Sequence, residues 1–406
     1  MSTFKEIPPT AGFPLYLKDF LYVFRSGSLE QDFNDYLGLD YIRVTYSGTA
    51  ALYLILESLK DLSAKTTVVI PSFVCPLLPL AIKRAGLKAE VCDVRSDSFD
   101  FDAGELENLC SRNNDIAAIV AVHLGGIPVD FLGLERIAKK YGIFIIEDCA
   151  QSLGATYKGK KTGTLGDFSF FSLCRGKGLT IYEGGLAATS KKEYAKILDE
   201  KINRLSNGNF FSEILKIWEL LGYWVFYRPQ LFWFVFRLPQ IFWSLRGNKL
   251  KAAGEEFRID FPIHKVSGVR KSIGHAQFGR LEKEIERQRE KVSLYAQAFK
   301  AAKGIKVIKE YPETKATYPY LTLIFDTIQM RNKALEIFED SGLGVSQVYA
   351  YAIGDYDYLK SVIPQRDYPG GRYLAEHTIT VSTSTFLTKK DLNSVIDVIK
   401  NLSHLR

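Results

Sequence analysis

Between Val44 and about Leu198 short apolar runs alternate with stretches of helical period, and this alternation limits the chain to few architectures. Strands that are apolar throughout are buried on both faces, so the pattern predicts α/β organisation: a largely parallel sheet covered by helices on either side. Strands are expected over 67–70, 89–94, 117–122, 143–147 and 168–172, and helices over 49–60, 76–85, 131–140 and 191–202. Ligands collect outside the carboxyl ends of such strands, which is where Ser47, Asp148 and Ser172 fall. Residues 269–302 then read as one long charged amphipathic helix, followed by a strand over 320–325, a helix over 330–340, a strand over 378–382 and a helix from 389. That order predicts a smaller C-terminal α+β domain. A chain of 406 residues, 47% of them hydrophobic, can bury both. The expected division is a large domain over 1–206, an aromatic-rich insertion over 207–254, and a long helix with the small domain over 255–406.

The five cysteines (Cys75, Cys92, Cys110, Cys149 and Cys174) are widely spaced and form no Cys-x-x-Cys pair, as expected of reduced core thiols. The five histidines neither cluster nor show a metal-binding spacing, so no metal is expected. Residues 1–9 are polar and proline-bearing rather than basic then apolar, which points to the cytoplasm. A formal net charge of +7 suits a phosphorylated substrate or an anionic membrane surface. Nucleic acid is not expected, because bases and acids interleave, as in Arg280-Leu-Glu-Lys-Glu-Ile-Glu-Arg287, which makes a solvated helix face.

Three features carry chemistry. Asp148 follows a strand of buried type, where an unpaired carboxylate is costly; a protonated pyridine nitrogen would pair with it and keep the ring electron-withdrawing, as in pyridoxal 5'-phosphate (PLP). Ser47-Gly48-Thr49-Ala50 enters a helix and offers hydroxyls and free N–H groups to a phosphate, with Ser172 as a further donor. Lys177, five residues after Ser172 in a glycine-flanked loop, is the candidate Schiff-base lysine. Each has a plainer reading: Asp148 as a loop cap, Ser47 as a helix cap, Lys177 as a surface lysine. Their combination within one α/β domain favours the cofactor.

The chain resembles the PLP-dependent nucleotide-sugar aminotransferases of the DegT/DnrJ/StrS group, which have the fold of aspartate aminotransferase. The likeness rests on Ser47-Gly-Thr-Ala-Ala-Leu52, Ile70-Pro-Ser-Phe73, Val122-His-Leu-Gly-Gly126, Glu147-Asp-Cys-Ala-Gln-Ser-Leu-Gly154, Gly163-Thr-Leu-Gly-Asp167 and the stretch from Ser172 to Gly185. It resumes at Ile273-Gly-His-Ala-Gln277 and in the last fifty residues. It implies a mostly parallel seven-stranded sheet. It also implies that Lys177 bears the cofactor, Asp148 pairs with the ring nitrogen, Gln151 lies near the phenolic oxygen, and Thr49, Ala50 and Ser172 hold phosphate. Glutamate would be the amino donor, a nucleotide-linked keto-sugar the acceptor, and a homodimer the assembly, with its active sites at the subunit interface.

The chain departs from the family where an aromatic residue usually stacks on the pyridine: Cys75 stands near that place, so either Cys75 or Phe73 takes the role. Phe261-Pro-Ile-His-Lys265 replaces the segment that lends groups to the neighbour's phosphate. Tyr182 replaces a glycine of the lysine loop and is expected to narrow the substrate entrance. Rival readings are a PLP-dependent sugar deoxygenase or dehydratase, and a non-catalytic membrane-associated relative.

Residues 210–246 contain all four tryptophans and a near repeat, Pro229-Gln-Leu-Phe-Trp233 and Pro239-Gln-Ile-Phe-Trp243. Glu219, Arg228, Arg237 and the two prolines interrupt it well short of the roughly 20 apolar residues of a membrane span. Two readings remain open. Either it packs on its own domain or across the dimer, or it lies at the inner face of a membrane as a peripheral contact, with Arg228, Arg237, Arg246 and Lys249 meeting anionic lipid.

Overall fold

Seven strands make the central sheet of the computed structural model, which describes residues 4–22 and 27–402. They are β1 (Tyr41–Thr45), β2 (Thr67–Pro71), β3 (Lys88–Cys92), β4 (Ile116–Val122), β5 (Phe144–Asp148) and, after a small ribbon of β6 (Thr156–Tyr157) and β7 (Lys160–Lys161), β8 (Phe168–Ser172) and β9 (Gly185–Thr189). Their order is β3-β2-β4-β5-β8-β9-β1, with β9 antiparallel to both its neighbours and the other pairings parallel. Every residue of β2 and β4 is buried, as strands covered on both faces must be. Helices Gly48–Leu62, Leu77–Arg84, Ala103–Arg112, Phe131–Tyr141 and Lys192–Asn203 provide the cover. Three of them start at side-chain caps: Ser47, Asp102 and Asp130 accept from backbone N–H groups of the first turn. Residues 1–3, where the stretch examined for a leader begins, lie outside the described residues.

The small domain pairs β10 (Ile305–Val307), β12 (Tyr320–Phe325) and β13 (Thr378–Ser382) antiparallel, while β11 (Thr314–Lys315) reaches across to β6 of the large domain. Helix Ile328–Phe338 begins at Thr327, whose hydroxyl accepts the Met330 N–H. The single helix expected over 269–302 is two, Gly268–Phe278 and Leu281–Phe299. Glycine at 279 favours a break, and Arg280 fixes the turn by donating to both carboxylate oxygens of the fully buried Asp19, at 2.7 and 2.9 Å, and to Pro14 O at 3.4 Å.

The aromatic segment folds as helices Phe210–Phe226, Pro229–Val235, Arg237–Leu245 and Lys249–Ala253. Pro229 opens its helix and Pro239 lies in the first turn of the next, positions where a missing N–H costs no helical bond. One side of this segment is anchored. Glu213 grips the fully buried Arg270 with two hydrogen bonds of 3.0 and 2.7 Å, Tyr227 donates to Thr10 O and accepts from Gly12 N, and Arg228 donates to Leu15 O. The other side is exposed. Among the described residues no helix is long and apolar enough to cross a membrane.

Candidate active site

The carboxyl ends of β1, β2, β4, β5 and β8 open into a cavity of about 1290 Å³ that also reaches the small domain and the aromatic segment. Ser47, Gly48, Thr49, Cys75, Asp148, Gln151, Ser172 and Lys177 all line it. Ala50 and Phe73 do not.

Sheet register explains the convergence. Gly185 of β9 lies opposite Thr45 on one side and Ser172 on the other. A Cβ at 185 would fall 2.4 Å from both Gly48 N and Ser47 C, so only glycine lets the helix start and the end of β8 come this close. Within the first turn, Ser47 Oγ accepts the Ala50 N–H at 3.0 Å and Ser47 O accepts the Ala51 N–H at 2.9 Å. The N–H groups of Gly48 and Thr49 therefore have no acceptor inside the helix and suit an anion at its positive end. Ala50 contributes backbone geometry rather than a cavity surface.

Asp148 ends β5, and its Oδ1 accepts the Ala150 N–H at 2.9 Å. Its second oxygen has no partner among the described residues. Burial raises its pKa from 3.8 to about 6, against the opposing pull of the Ala150 N–H, Lys177 and His123. A carboxylate buried with half its hydrogen-bonding capacity unused calls for a cation. Lys177, half-buried in its loop, makes no ion pair among the described residues.

Gln151 is held by its carbonyl: Oε1 accepts the Gly125 N–H at 2.8 Å and the Tyr320 hydroxyl at 2.7 Å, which leaves the NH₂ group as the donor available to a ligand. Cys75 lines the cavity and burial pushes its thiol up to about 12, so it presents a neutral surface. Phe73 turns into the core, stacked on Phe99 at 6.0 Å and edge-on to Tyr349 at 5.3 Å. Tyr182 takes φ 73°, the left-handed conformation that glycine adopts freely. Its ring packs against Leu15, Leu220, Tyr223, Tyr227 and Ile273 and beneath the guanidinium of Arg175, which lines the cavity where Tyr182 does not. Phe261 and Pro262 line the cavity of their own protomer.

His123, Tyr320, Tyr349 and Arg331 also line the cavity, and no role was read for them in the sequence. Tyr320 and Tyr349 come from the small domain, far from the motifs in the chain, and offer no local signal. Arg331 has an unpartnered buried Nε and no ion pair. His123 Nδ1 accepts the Val129 N–H, so the ring proton on Nε2 goes to Glu147 Oε2 at 3.1 Å. Glu147 also accepts N–H groups from Gly163, Leu165 and Gly166 at 2.7–2.8 Å. His123, Glu147 and Cys149 approach within 4.8 Å of one another, but these bonds commit the carboxylate to the 163–166 loop.

A largely parallel sheet with one reversed strand, a helix-start anion cradle, a strand-end carboxylate and a free lysine define an aminotransferase of the PLP-dependent fold type I class. The model of the DegT/DnrJ/EryC1/StrS aminotransferase family matches residues 25–212 and 264–400, and the chain belongs to that family. It is 26% identical over 339 residues to the UDP-4-amino-4,6-dideoxy-N-acetyl-beta-L-altrosamine transaminase of Campylobacter jejuni, covering 82% of this chain and 78% of that one. It is 34% identical over 163 residues to the GDP-perosamine synthase of Escherichia coli O157:H7, 40% of this chain and 44% of that one. In fold it is similar to a putative sugar aminotransferase of Streptococcus pneumoniae in its PLP form, with TM-score 0.75 at 20% identity over 98% of this chain and 99% of the other.

Proposed function

We propose that this enzyme moves an amino group from glutamate to a keto-sugar carried on a nucleoside diphosphate, using Lys177, Asp148 and the Ser47–Ala50 turn. The observation that carries the reading is the half-satisfied, buried Asp148 carboxylate facing the same cavity as the Lys177 amine and the open N–H groups of Gly48 and Thr49. PLP would supply the electron sink for labilising a bond at the substrate carbon. The chain's own groups do the rest. Asp148 keeps a ring nitrogen protonated. Gly48, Thr49 and Ser172 hold phosphate, and the Gln151 NH₂, oriented by Gly125 and Tyr320, meets the ring's phenolic oxygen. Cys75, which lines the cavity, is the better placed of the two candidates to lie against the ring face. Lys177 Nζ holds the cofactor between turnovers and afterwards carries the proton as a general base.

Arg175 and Arg331 line the cavity without a carboxylate partner and suit the donor's carboxylates or the acceptor's diphosphate. The names of the Campylobacter and Escherichia relatives, both nucleotide-sugar enzymes, support the acceptor class. The protein works as a homodimer in the cytoplasm, peripheral to the inner face of a membrane through 210–246.

Borohydride treatment of the PLP-loaded protein should fix mass on Lys177, and Lys177→Ala should lose both that mass and the release of 2-oxoglutarate from glutamate. A fully active variant would refute the assignment. A screen of nucleotide-linked keto-sugars by mass spectrometry identifies the acceptor.

A further inference from the structure

The family model leaves 213–263 unmatched, and the exposed apolar surface gathers there. Of the twenty-one large hydrophobic side chains exposed among the described residues, thirteen lie between Phe210 and Leu245. They are ordered by helical period. Phe211, Ile214, Leu215, Trp218, Val225 and Phe226 fall on one face of helix Phe210–Phe226, opposite the buried Glu213, Leu220 and Tyr223. Leu231, Phe234, Val235, Leu238, Phe242 and Leu245 continue the same spacing through the next two helices. At about half exposure and roughly 200 Å² each, these side chains present on the order of 1,000 Å² of apolar surface, beyond the few hundred Å² usual on a soluble monomer.

Two observations select what covers it. Apart from the indole N–H of Trp218, neither row offers a hydrogen-bonding side chain, whereas a protein interface of this size carries about one hydrogen bond per 100–200 Å² and lipid requires none. The neighbouring cations are also informative. Arg228 is spent on Leu15 O and Tyr227 O, and Arg237 on Glu339 and Asp340. Lys249 lines the cavity, whereas Arg246, exposed over the Phe242 ring, makes no ion pair among the described residues. The same holds for Lys18 on helix Leu17–Leu21, whose Leu17 and Leu21 are also exposed and whose Phe20 meets Trp224.

We propose that the two helical rows dock into the headgroup region of an anionic phospholipid bilayer, with Trp218 and the Phe side chains in the interface and Arg246 and Lys18 against the lipid phosphates. This rests on the peripheral placement proposed for 210–246 and is independent of the transamination.

The test is flotation of the PLP-loaded protein with phosphatidylcholine vesicles, with and without phosphatidylglycerol, beside a Phe211→Ser/Trp218→Ser variant and an Arg246→Gln variant. Wild type should float with the anionic vesicles. The double variant should lose at least about tenfold in partitioning while keeping its cofactor absorbance, and Arg246→Gln should lose less. Equal flotation on both vesicle types would overturn the anionic-lipid inference and leave the peripheral placement standing. No flotation of wild type, or equal flotation of the double variant, would overturn docking through these rows. So would a wild-type oligomer that the double variant dissolves without any vesicle binding, which would assign the rows to a second copy of the chain.

Discussion

Replacing Asp148 with Asn should stabilise the protein once its cofactor is stripped away, although it harms the enzyme. Burial raises the Asp148 pKa from 3.8 to about 6. Between those values the native protein holds a proton that the unfolded chain has lost, so stability falls as pH rises through the window, and above pH 6 the loss is complete. A rise of that size corresponds to about 3 kcal/mol at pH 7.5 and about 1 kcal/mol at pH 4.5, where only part of the loss has accumulated. Asn keeps an oxygen for the Ala150 N–H and carries no charge. In urea unfolding, the stripped Asp148→Asn variant should therefore exceed stripped wild type by up to about 3 kcal/mol at pH 7.5 and by much less at pH 4.5. The same variant should bind PLP more weakly, because a neutral amide cannot hold the ring nitrogen's proton. A variant less stable than wild type at both pH values, or more stable by the same amount at both, would refute the reasoning.

Glu213→Gln should cost about 3–5 kcal/mol in urea unfolding, because it strands the fully buried Arg270 guanidinium without its carboxylate. Glu147→Ala removes the acceptor of three backbone N–H groups and of His123; a loss of at least about 3 kcal/mol should appear as a lowered melting temperature. Gly185→Ala should raise the PLP dissociation constant, since relieving its Cβ contacts moves the Ser47–Gly48 turn. Overpacking of about 1–3 kcal/mol, felt only by the bound form, gives on the order of a 5- to 150-fold change by fluorescence titration.

The parallel heart of the sheet was legible because β2, β4 and β5 are nearly continuous apolar runs that give way to polar residues, Ser72, His123 and Asp148. The outer strands β1 and β9 were not among the strands read from periodicity. Arg43 interrupts β1, where its guanidinium stacks on Tyr41 at 4.4 Å and pairs with Asp199 at 3.0 Å. β9 is Gly-Leu-Ala-Ala-Thr, whose small residues carry little strand propensity and are required by close packing on the helix start. The break at Gly279 was hidden because charged helical spacing continues across it, while its cause, the contact of Arg280 with Asp19, spans 261 residues. Thr327 is a local helix-start signal, a hydroxyl three residues before Met330, and places the helix start two residues ahead of the one expected. Long range also hid Tyr320 and Arg331: nothing in their own stretches marks them as neighbours of Gln151 or of the cavity.

Helix Arg237–Leu245 has two occupations at once. Arg237, Gln240 and Ser244 look into the reaction chamber, while Leu238, Phe242 and Leu245 look outward. At about 100° per residue the two sets are locked in phase on one rigid cylinder. Any roll that hid the greasy row would drag Gln240 and Ser244 out of the chamber wall. The molecule thus has no internal remedy for that side, and its shelter must arrive from outside.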